Sequence, residues 1–464
     1  MKDSAPPRSV WARSSRLVRL AAGLAQKEVR GRIGRATAPD ALGVAVSRLR
    51  VQVEQAREVV ESLGQLKGAA MKAGQLLSME LVDVLPPEVI DVLQKLQDSG
   101  PAVTWEEIHS ILEAELGPER MKSLTVEQAP LASASIGQVH RAVWTRPDGQ
   151  RVDVVLKVQF RGIAETIDSD LALLERIARA FLAVQMKNID LGAVFVELRA
   201  VLVRETDYLQ EADSVERYRR LAHEVPGLRV PEVYREISTR RVIALSHEPG
   251  LKLSAFLATE PTRAERERVA HQLLDLYFRE FFSWGLVQTD ANFANFLFRP
   301  GTQELVLLDF GATRAYDEAF RASYRELLLR CFEGDFAATL SEAESLGLID
   351  PRESEASRRA LFDLITSVLS VFREHRQPLD FLDKRIVTES GERLRGYYAG
   401  LERSAPPAQL LFLHRKLGGT FSMGKALGAR IDLTPFWRRL EQAKVASASR
   451  AARESDADVA EGSA

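Results

Sequence analysis

The spacing of hydrophobic positions divides the chain into a helical segment, a strand-rich segment and a second helical region. Between residues 41 and 99, apolar side chains recur three or four positions apart, as at Leu49, Val53, Ala56, Val60 and Leu63. This period predicts amphipathic helices. From residue 129 the pattern changes to apolar runs of strand length, and a turn at 146–149 separates two of them. The order of patterns predicts an α+β fold.

Length and composition narrow the class of protein. A chain of 464 residues exceeds a usual single core, so two lobes are expected. With 45% hydrophobic residues, 28% charged residues and a net charge of −2, a general nucleic-acid binder is disfavoured. The single cysteine, Cys331, excludes disulfides within the chain, and no apolar run reaches the length of a spanning helix. We therefore predict a cytoplasmic protein, with any membrane association peripheral, at the inner membrane surface.

The two ends of the chain differ in charge. The first 35 positions hold nine Arg and Lys residues, and the eight from Arg8 to Arg35 are interleaved with apolar ones, which is typical of a basic amphipathic helix. Docking on an anionic membrane surface is one interpretation, and a tail or a helix packed on the body is the other. Residues 446–464 are small, polar and acidic, which predicts disorder.

The strand-rich segment carries a candidate phosphate-binding lysine. Lys157 lies in the apolar run 152–158, on the second strand of the predicted hairpin. A buried lysine needs an anionic partner, and Glu211 is our choice. Glu205, Asp207 and Glu211 are interpreted as carboxylates of one helix; a solvated acidic helix and an exposed edge-strand lysine are the alternatives.

Small Ala and Ser residues occupy most of the loop before this hairpin. In kinases the corresponding turn is rich in glycine, so that backbone amides can close over nucleotide phosphates. Here we expect the nucleotide-binding turn to comprise Ala132, Ser133, Ala134, Ser135, Ile136, Gly137 and Gln138. Alanine lacks the positive-φ freedom of glycine, so the loop should be stiffer.

Three polar residues further along predict phosphoryl-transfer chemistry. Asp290 is followed by Asn295, and Asp309-Phe310-Gly311 comes after a strand-turn-strand pattern. Asp290 would orient or deprotonate an acceptor hydroxyl, while Asn295 and Asp309 would bind Mg²⁺. Residues 245–250, which include Glu248, predict an inter-lobe hinge that binds ATP.

These elements predict a bilobal, protein-kinase-like fold with an N-terminal helical extension that precedes the catalytic body. We assign residues 1–44 to the basic N-terminus, 45–122 to the helical extension, 123–250 to an N-lobe with inserted helices, 251–445 to a mostly helical C-lobe and 446–464 to the acidic tail.

The chain resembles the UbiB family of atypical protein-kinase-like proteins, also called the AarF-domain or ADCK group. The resemblance covers roughly residues 45 to 440 and rests on short motifs. These are Lys72-Ala73-Gly74-Gln75, the alanine-rich segment 132–140, Glu205-x-Asp207, the segments 288–296 and 309–314, and Leu413-His414-Arg415-Lys416. The last three stretches look closest to the coenzyme-Q-linked branch.

The resemblance implies roles that spacing alone does not give. In the family, the helix carrying the Lys-x-Gly-Gln motif covers the active site. This implies that Lys72 pairs with Glu205 of the regulatory Glu-x-Asp motif, that Gln75 lies near the nucleotide, and that Ala134 restrains nucleotide handling. It also implies an ATP- and Mg²⁺-dependent kinase or ATPase that supports ubiquinone or other isoprenoid-quinone biosynthesis, or lipid handling at membranes. Quinone-biosynthesis enzymes or lipid precursors are then candidate partners.

Two other functions remain open. A small-molecule phosphotransferase shares the Asp, Asn and metal-binding Asp arrangement but lacks the Lys-x-Gly-Gln motif and the alanine-rich loop. A nucleotide-gated scaffold for quinone biosynthesis would bind ATP without turnover. The phosphate acceptor and the oligomeric state are left open.

Overall fold

A computed structural model describes residues 103–134, 136–182, 191–290, 292–404 and 407–443. Our predictions for the basic N-terminus, the acidic tail, Ser135 and the motif containing Lys72, Gly74 and Gln75 lie outside these residues. The described residues fall into two compact units. The first extends to Glu216 and includes Pro231–His247; the second comprises Arg217–Val230 and the chain from Glu248 onward. The predicted α+β, two-lobed organisation is confirmed, whereas the domain boundaries assigned above stay a prediction.

An antiparallel sheet with the strand order β1-β2-β3-β5 forms the centre of the first unit. Its strands are β1 Leu124–Ser133, β2 Gly137–Thr145, β3 Arg151–Gln159 and β5 Val242–Ser246. Buried and less buried residues alternate along β2, as expected for a strand with one covered face. Helix α1, Trp105–Lys122, packs Ile108 and Leu112 against Trp144, Val154 and Leu156 of the sheet. This apolar core fixes the strand that carries Lys157.

Three helices follow β3. They are α2 Ile163–Leu182, α3 Leu191–Glu205 and α4 Tyr208–Ala222. Our interpretation of Glu205, Asp207 and Glu211 as one helix is wrong, because α3 ends at Glu205 and α4 begins at Tyr208. The Asp207 carboxylate accepts a hydrogen bond from the Leu209 amide at 3.1 Å, which satisfies a backbone donor in the first turn of α4. Glu205 and Glu211 therefore belong to different helices.

The second unit has a small sheet of order β4-β9-β8-β6 and two strand pairs, β7 with β10 and β11 with β12. The strands are β4 Leu228–Arg229, β6 Leu251–Lys252, β7 Leu286–Gln288, β8 Phe296–Arg299, β9 Glu304–Leu307, β10 Thr313–Ala315, β11 Leu379–Asp380 and β12 Arg430–Ile431. β8 and β9 form the hairpin that precedes Asp309.

Helices make up most of the second unit. They are α5 Leu253–Ala258, α6 Arg263–Phe278, α7 Glu318–Glu333, α8 Phe336–Ser345, α9 Glu355–Leu369, α10 Lys384–Gly400 and α11 Ala408–Leu427. A π-helical turn, Arg279–Trp284, continues α6 toward β7. Within the part of the chain that the structure describes, no helix is both long enough and apolar enough to cross a membrane.

Candidate functional site

Lys157 lies on an interior strand of the first unit. β3 pairs with β2 on one side and β5 on the other, with Lys157 opposite Val139 and Ile243. The alternative of an exposed edge-strand lysine is therefore wrong. The Lys157 ammonium lies 2.7 Å and 2.8 Å from the two carboxylate oxygens of Glu211. The two side chains are only 15% and 2% exposed, so each provides the opposite charge that the other needs away from water.

The aromatic ring of Tyr208 contributes to the same position. Its centre lies 5.1 Å from the Lys157 ammonium, within the range of a cation–π interaction. Tyr208 and Glu211 both come from the first turn of α4, so the break after α3 determines where these two side chains lie. Asp207, just before α4, forms an ion pair with Arg240 at 3.3 Å, and Glu205 is buried at the end of α3.

The alanine-rich segment forms the turn between β1 and β2. Ala132 and Ser133 end β1, and the Ala134 amide donates to the Gly137 carbonyl oxygen at 2.8 Å. A Cβ atom at Gly137 would lie 2.4 Å from the backbone oxygen of Val158, so only glycine fits where the turn returns against β3. Ile136 is buried at this turn.

Two predicted nucleotide-binding side chains have partners within the protein. The Gln138 amide donates to the Val103 carbonyl oxygen at 3.2 Å, and its oxygen lies 3.2 Å from the His140 ring. In the second unit, the Glu248 carboxylate pairs with the Arg299 guanidinium. These contacts give both side chains structural roles. A nucleotide contact for either stays a prediction.

Asp290 and Asn295 meet in the second unit. The Asn295 amide nitrogen lies 3.0 Å from the Asp290 carbonyl oxygen and 3.1 Å from its Oδ2. The Asp290 Oδ1 accepts a hydrogen bond from the Arg415 guanidinium at 2.9 Å. Asp290 and Arg415 are 9% and 8% exposed. The carboxylate is therefore held from two sides in a largely buried setting.

Asp309 follows the β8–β9 hairpin. Its Oδ1 accepts a hydrogen bond from the Gly311 amide at 3.0 Å, which shapes the turn after the strand. The amide of Leu308 donates to the Asn295 carbonyl oxygen at 2.9 Å. This backbone bond joins the segment before Asp309 to the loop that follows Asp290.

A buried polar network lies behind Asp290. The Gln288 amide donates to the Asp290 carbonyl oxygen at 2.9 Å, and the Gln288 oxygen lies 3.4 Å from the Lys416 ammonium. Lys416 lies 3.0 Å from Glu280, and both are almost fully buried. The Tyr218 hydroxyl lies 3.0 Å from the Glu280 carboxylate. Burial raises the pKa of the Glu280 carboxyl, and the Lys416 ammonium opposes that shift.

A comparison with known protein families identifies the domain. Residues 95–342 match the ABC1 atypical kinase-like domain. The chain belongs to the ABC1 atypical kinase-like family. The match covers more than half of the 464 residues and includes Lys157, Glu211, Asp290 and Asp309. The resemblance to the UbiB family is thereby confirmed.

Individual relatives support the same assignment. This ABC1 chain is 30% identical over 392 residues to the mitochondrial atypical kinase COQ8 of Saccharomyces cerevisiae, covering 83% of this chain and 76% of that protein. It is also 30% identical over 378 residues to the mitochondrial atypical kinase COQ8B of Danio rerio, covering 81% of this chain and 59% of that protein.

A solved structure has the same fold. It is the complex of Rv3197 with erythromycin from Mycobacterium tuberculosis, with a TM-score of 0.58 and 23% sequence identity. The match covers 85% of this chain and 97% of that chain. The predicted kinase-like fold is thereby confirmed.

The donor atoms of the ABC1 chain suit magnesium bound together with a nucleotide. Within the described ranges, no group of three or more His, Cys, Asp or Glu side chains could hold a metal alone. Mg²⁺ prefers hard oxygen ligands and is commonly bound by one or two carboxylates together with substrate phosphates. Asp309 supplies a carboxylate, and Asn295 can supply its amide oxygen because its amide nitrogen points to Asp290.

Sequence reasoning missed the polar neighbours of the Asp290 segment, which are Arg415, Lys416, Glu280 and Tyr218. The segment 413–416 contributed only to the family resemblance, and its residues were given no predicted contacts. One signal was available in the sequence. The adjacent cations Arg415 and Lys416 stand between the apolar run 410–413 and the small residues 418–420. Cations in such a setting indicate buried anionic partners.

Proposed function

We propose that this ABC1 chain binds MgATP and transfers the γ-phosphoryl group to water or to a hydroxyl acceptor. The observation that carries the proposal is the buried ion pair between Lys157 and Glu211. A lysine on an interior strand, paired with a helix glutamate, is the arrangement by which kinase-like proteins bind nucleotide phosphates. The Asp290–Asn295 pair and Asp309 supply the remaining groups that this chemistry uses.

Each residue has a separate role in the proposed reaction. Lys157 binds ATP phosphates, and Glu211 keeps its ammonium in position. Asp290 accepts the proton of the attacking water or hydroxyl. The oxygen of that water or hydroxyl forms a bond to the γ-phosphorus at the same time. The bond from that phosphorus to the β,γ-bridging oxygen breaks, and ADP leaves with the electron pair. Asn295 and Asp309 would hold magnesium, which would supply neutralisation of phosphate charge when bound.

We propose isoprenoid-quinone biosynthesis, ubiquinone in particular, or lipid handling at membranes as the process that this reaction serves. The similarity to the two COQ8 proteins and the family motifs support this assignment. An anionic membrane surface, quinone-biosynthesis enzymes and lipid precursors are the corresponding partners.

The decisive test is magnesium-dependent ATP hydrolysis by the full chain. We would measure phosphate release with and without anionic lipid vesicles and a phenolic mimic of a quinone precursor. Asp290→Asn should lose turnover while retaining nucleotide binding. Tight MgATP binding without turnover under every condition would instead support the nucleotide-gated scaffold.

Asp309→Asn tests the metal assignment separately. The substitution removes one negative charge from the proposed magnesium site, so MgATP affinity should fall by roughly tenfold or more. Isothermal titration with and without magnesium measures this change. Equal MgATP affinity in Asp309→Asn and the parent would refute the assignment of Asp309.

A further inference from the structure

Helix α11 supplies two adjacent cations to the segment around Asp290. Arg415 donates to the Asp290 carboxylate at 2.9 Å. Lys416 reaches the same residue through Gln288, which donates to the Asp290 carbonyl oxygen at 2.9 Å. One helix therefore contacts both the side chain and, through one intermediate, the backbone of the proposed proton acceptor.

The loop itself carries no positive charge. The nine residues from Gln288 to Phe296 include no Lys, Arg or His. A carboxylate as buried as that of Asp290 requires a compensating cation. Arg415 meets this need from a helix that lies 125 positions further along the chain.

Arg415 and Asn295 hold different oxygens of the carboxylate. Arg415 contacts Oδ1, and Asn295 contacts Oδ2. Two contacts of this kind fix both the position and the rotation of the carboxylate plane. Orientation matters because a displacement of about 1 Å at a reacting group can reduce a rate on the order of 100-fold.

We infer that Arg415 is a positioning residue for phosphoryl transfer, an inference that rests on the proposed function. It orients the Asp290 carboxylate toward the acceptor and takes no part in nucleotide binding. Lys416 supports it by holding Gln288 against the Asp290 backbone.

The test compares Arg415→Met, which removes the charge, with Arg415→Lys, which retains it. The matched control is Lys425→Met, which removes an exposed cation from the same helix. For each variant we would measure kcat, KM for MgATP and the number of MgATP molecules bound per chain. The bound stoichiometry reports the folded fraction, so kcat can be expressed per folded molecule.

We expect Arg415→Met to lower kcat by about 10- to 100-fold, with KM and bound stoichiometry within about twofold of the parent. Arg415→Lys should recover part of the loss, and Lys425→Met should behave as the parent. If Arg415→Met does not fold, Arg415→Gln replaces it, because the amide keeps hydrogen-bond donors without the charge.

Two results would overturn the inference in distinguishable ways. If the parent hydrolyses ATP and the neutral variants match it per folded molecule, the role of Arg415 is wrong while the proposed function stands. If the parent binds MgATP but shows no magnesium-dependent turnover, the proposed phosphoryl transfer is wrong, and the role of Arg415 is wrong with it.

Discussion

Lys157 and Lys416 are two cations held away from most of the solvent, and each pairs with one glutamate, Glu211 and Glu280 respectively. Lys157 stands at the end of an apolar strand pattern, where its charge conflicts visibly with its surroundings. Its partner, Glu211, lies in a nearby carboxylate-rich segment and was predicted from that composition. Lys416 lies on a helix that also presents exposed residues. Its partner Glu280 lies 136 positions earlier in the sequence.

The Glu280–Lys416 pair gives a pH-dependent prediction. Burial raises the pKa of Glu280 above its ordinary value, so the group's contribution to folding stability is greatest at low pH and is lost as the pH rises. Lys416→Met removes the cation that opposes this shift. The variant should lose about 3–5 kcal/mol of unfolding free energy at pH 8 and less at pH 5. Urea denaturation at the two pH values measures the difference.

The double variant Lys416→Met/Glu280→Gln provides the internal check. In this variant both ionisable side chains are replaced by neutral ones, so no unpaired charge is buried. Much of the unfolding free energy lost in Lys416→Met should therefore return. Lys425→Met controls for removing a cation from α11. If Lys416→Met lost the same unfolding free energy at both pH values, an ionised and unpaired Glu280 carboxylate would not be the cause of the loss.

At the scale of elements, the strands were easier to predict than the helix ends. The hairpin containing Lys157 and the hairpin before Asp309 both follow from apolar runs separated by turn residues. The break between α3 and α4 was missed because carboxylate spacing alone was used. Asp207 and Gln210 have the spacing of an N-terminal capping pair, which is the signal that would have located the break.

Gly137 tests the packing of the alanine-rich turn against β3. In Gly137→Ala the added Cβ would lie 2.4 Å from the Val158 carbonyl oxygen, a backbone atom that cannot turn aside. The unfolding free energy should fall by about 1–3 kcal/mol, and MgATP binding should weaken as the turn is displaced. Urea denaturation and nucleotide titration measure the two effects.

Gly301→Ala is the matched control, because no atom lies within 4 Å of a Cβ at that position. It also lies in a turn, between β8 and β9, so it controls for adding a methyl group to a loop glycine. Equal stability of the two variants would show that the turn accommodates a side chain at position 137.

At the scale of the whole molecule, the order of the motifs along the chain was sufficient to predict a two-lobed, kinase-like fold. It did not predict contacts between residues that are distant in sequence. Arg415 and Asp290 are 125 positions apart, and neither local period nor motif spacing specifies such a pair. Hydrophobic patterning identifies which face of a helix is buried but not which polar group it meets there.

Nucleotide binding should also change the stability of the whole chain. A ligand that binds only the folded state stabilises it by mass action, by about 2.7 kcal/mol at 100 times its Kd. We therefore expect the melting temperature to rise with MgATP concentration. Removing magnesium with a chelator should reduce the rise, and Asp309→Asn should reduce it similarly. A rise of equal size in the chelated sample would argue against a metal-dependent site.

Helix α11 follows the matched domain, residues 95–342, in the sequence, and this order has a consequence for biosynthesis. A ribosome makes Asp290 and Glu280 more than 120 residues before it reaches Arg415 and Lys416. After residue 342 the matched domain has been synthesised in full. Until residues 415 and 416 follow, the carboxylates of Asp290 and Glu280 have no cation from this helix. A message interrupted between codons 342 and 415 would thus encode the whole matched domain and still lack the two cations that pair with Asp290 and Glu280.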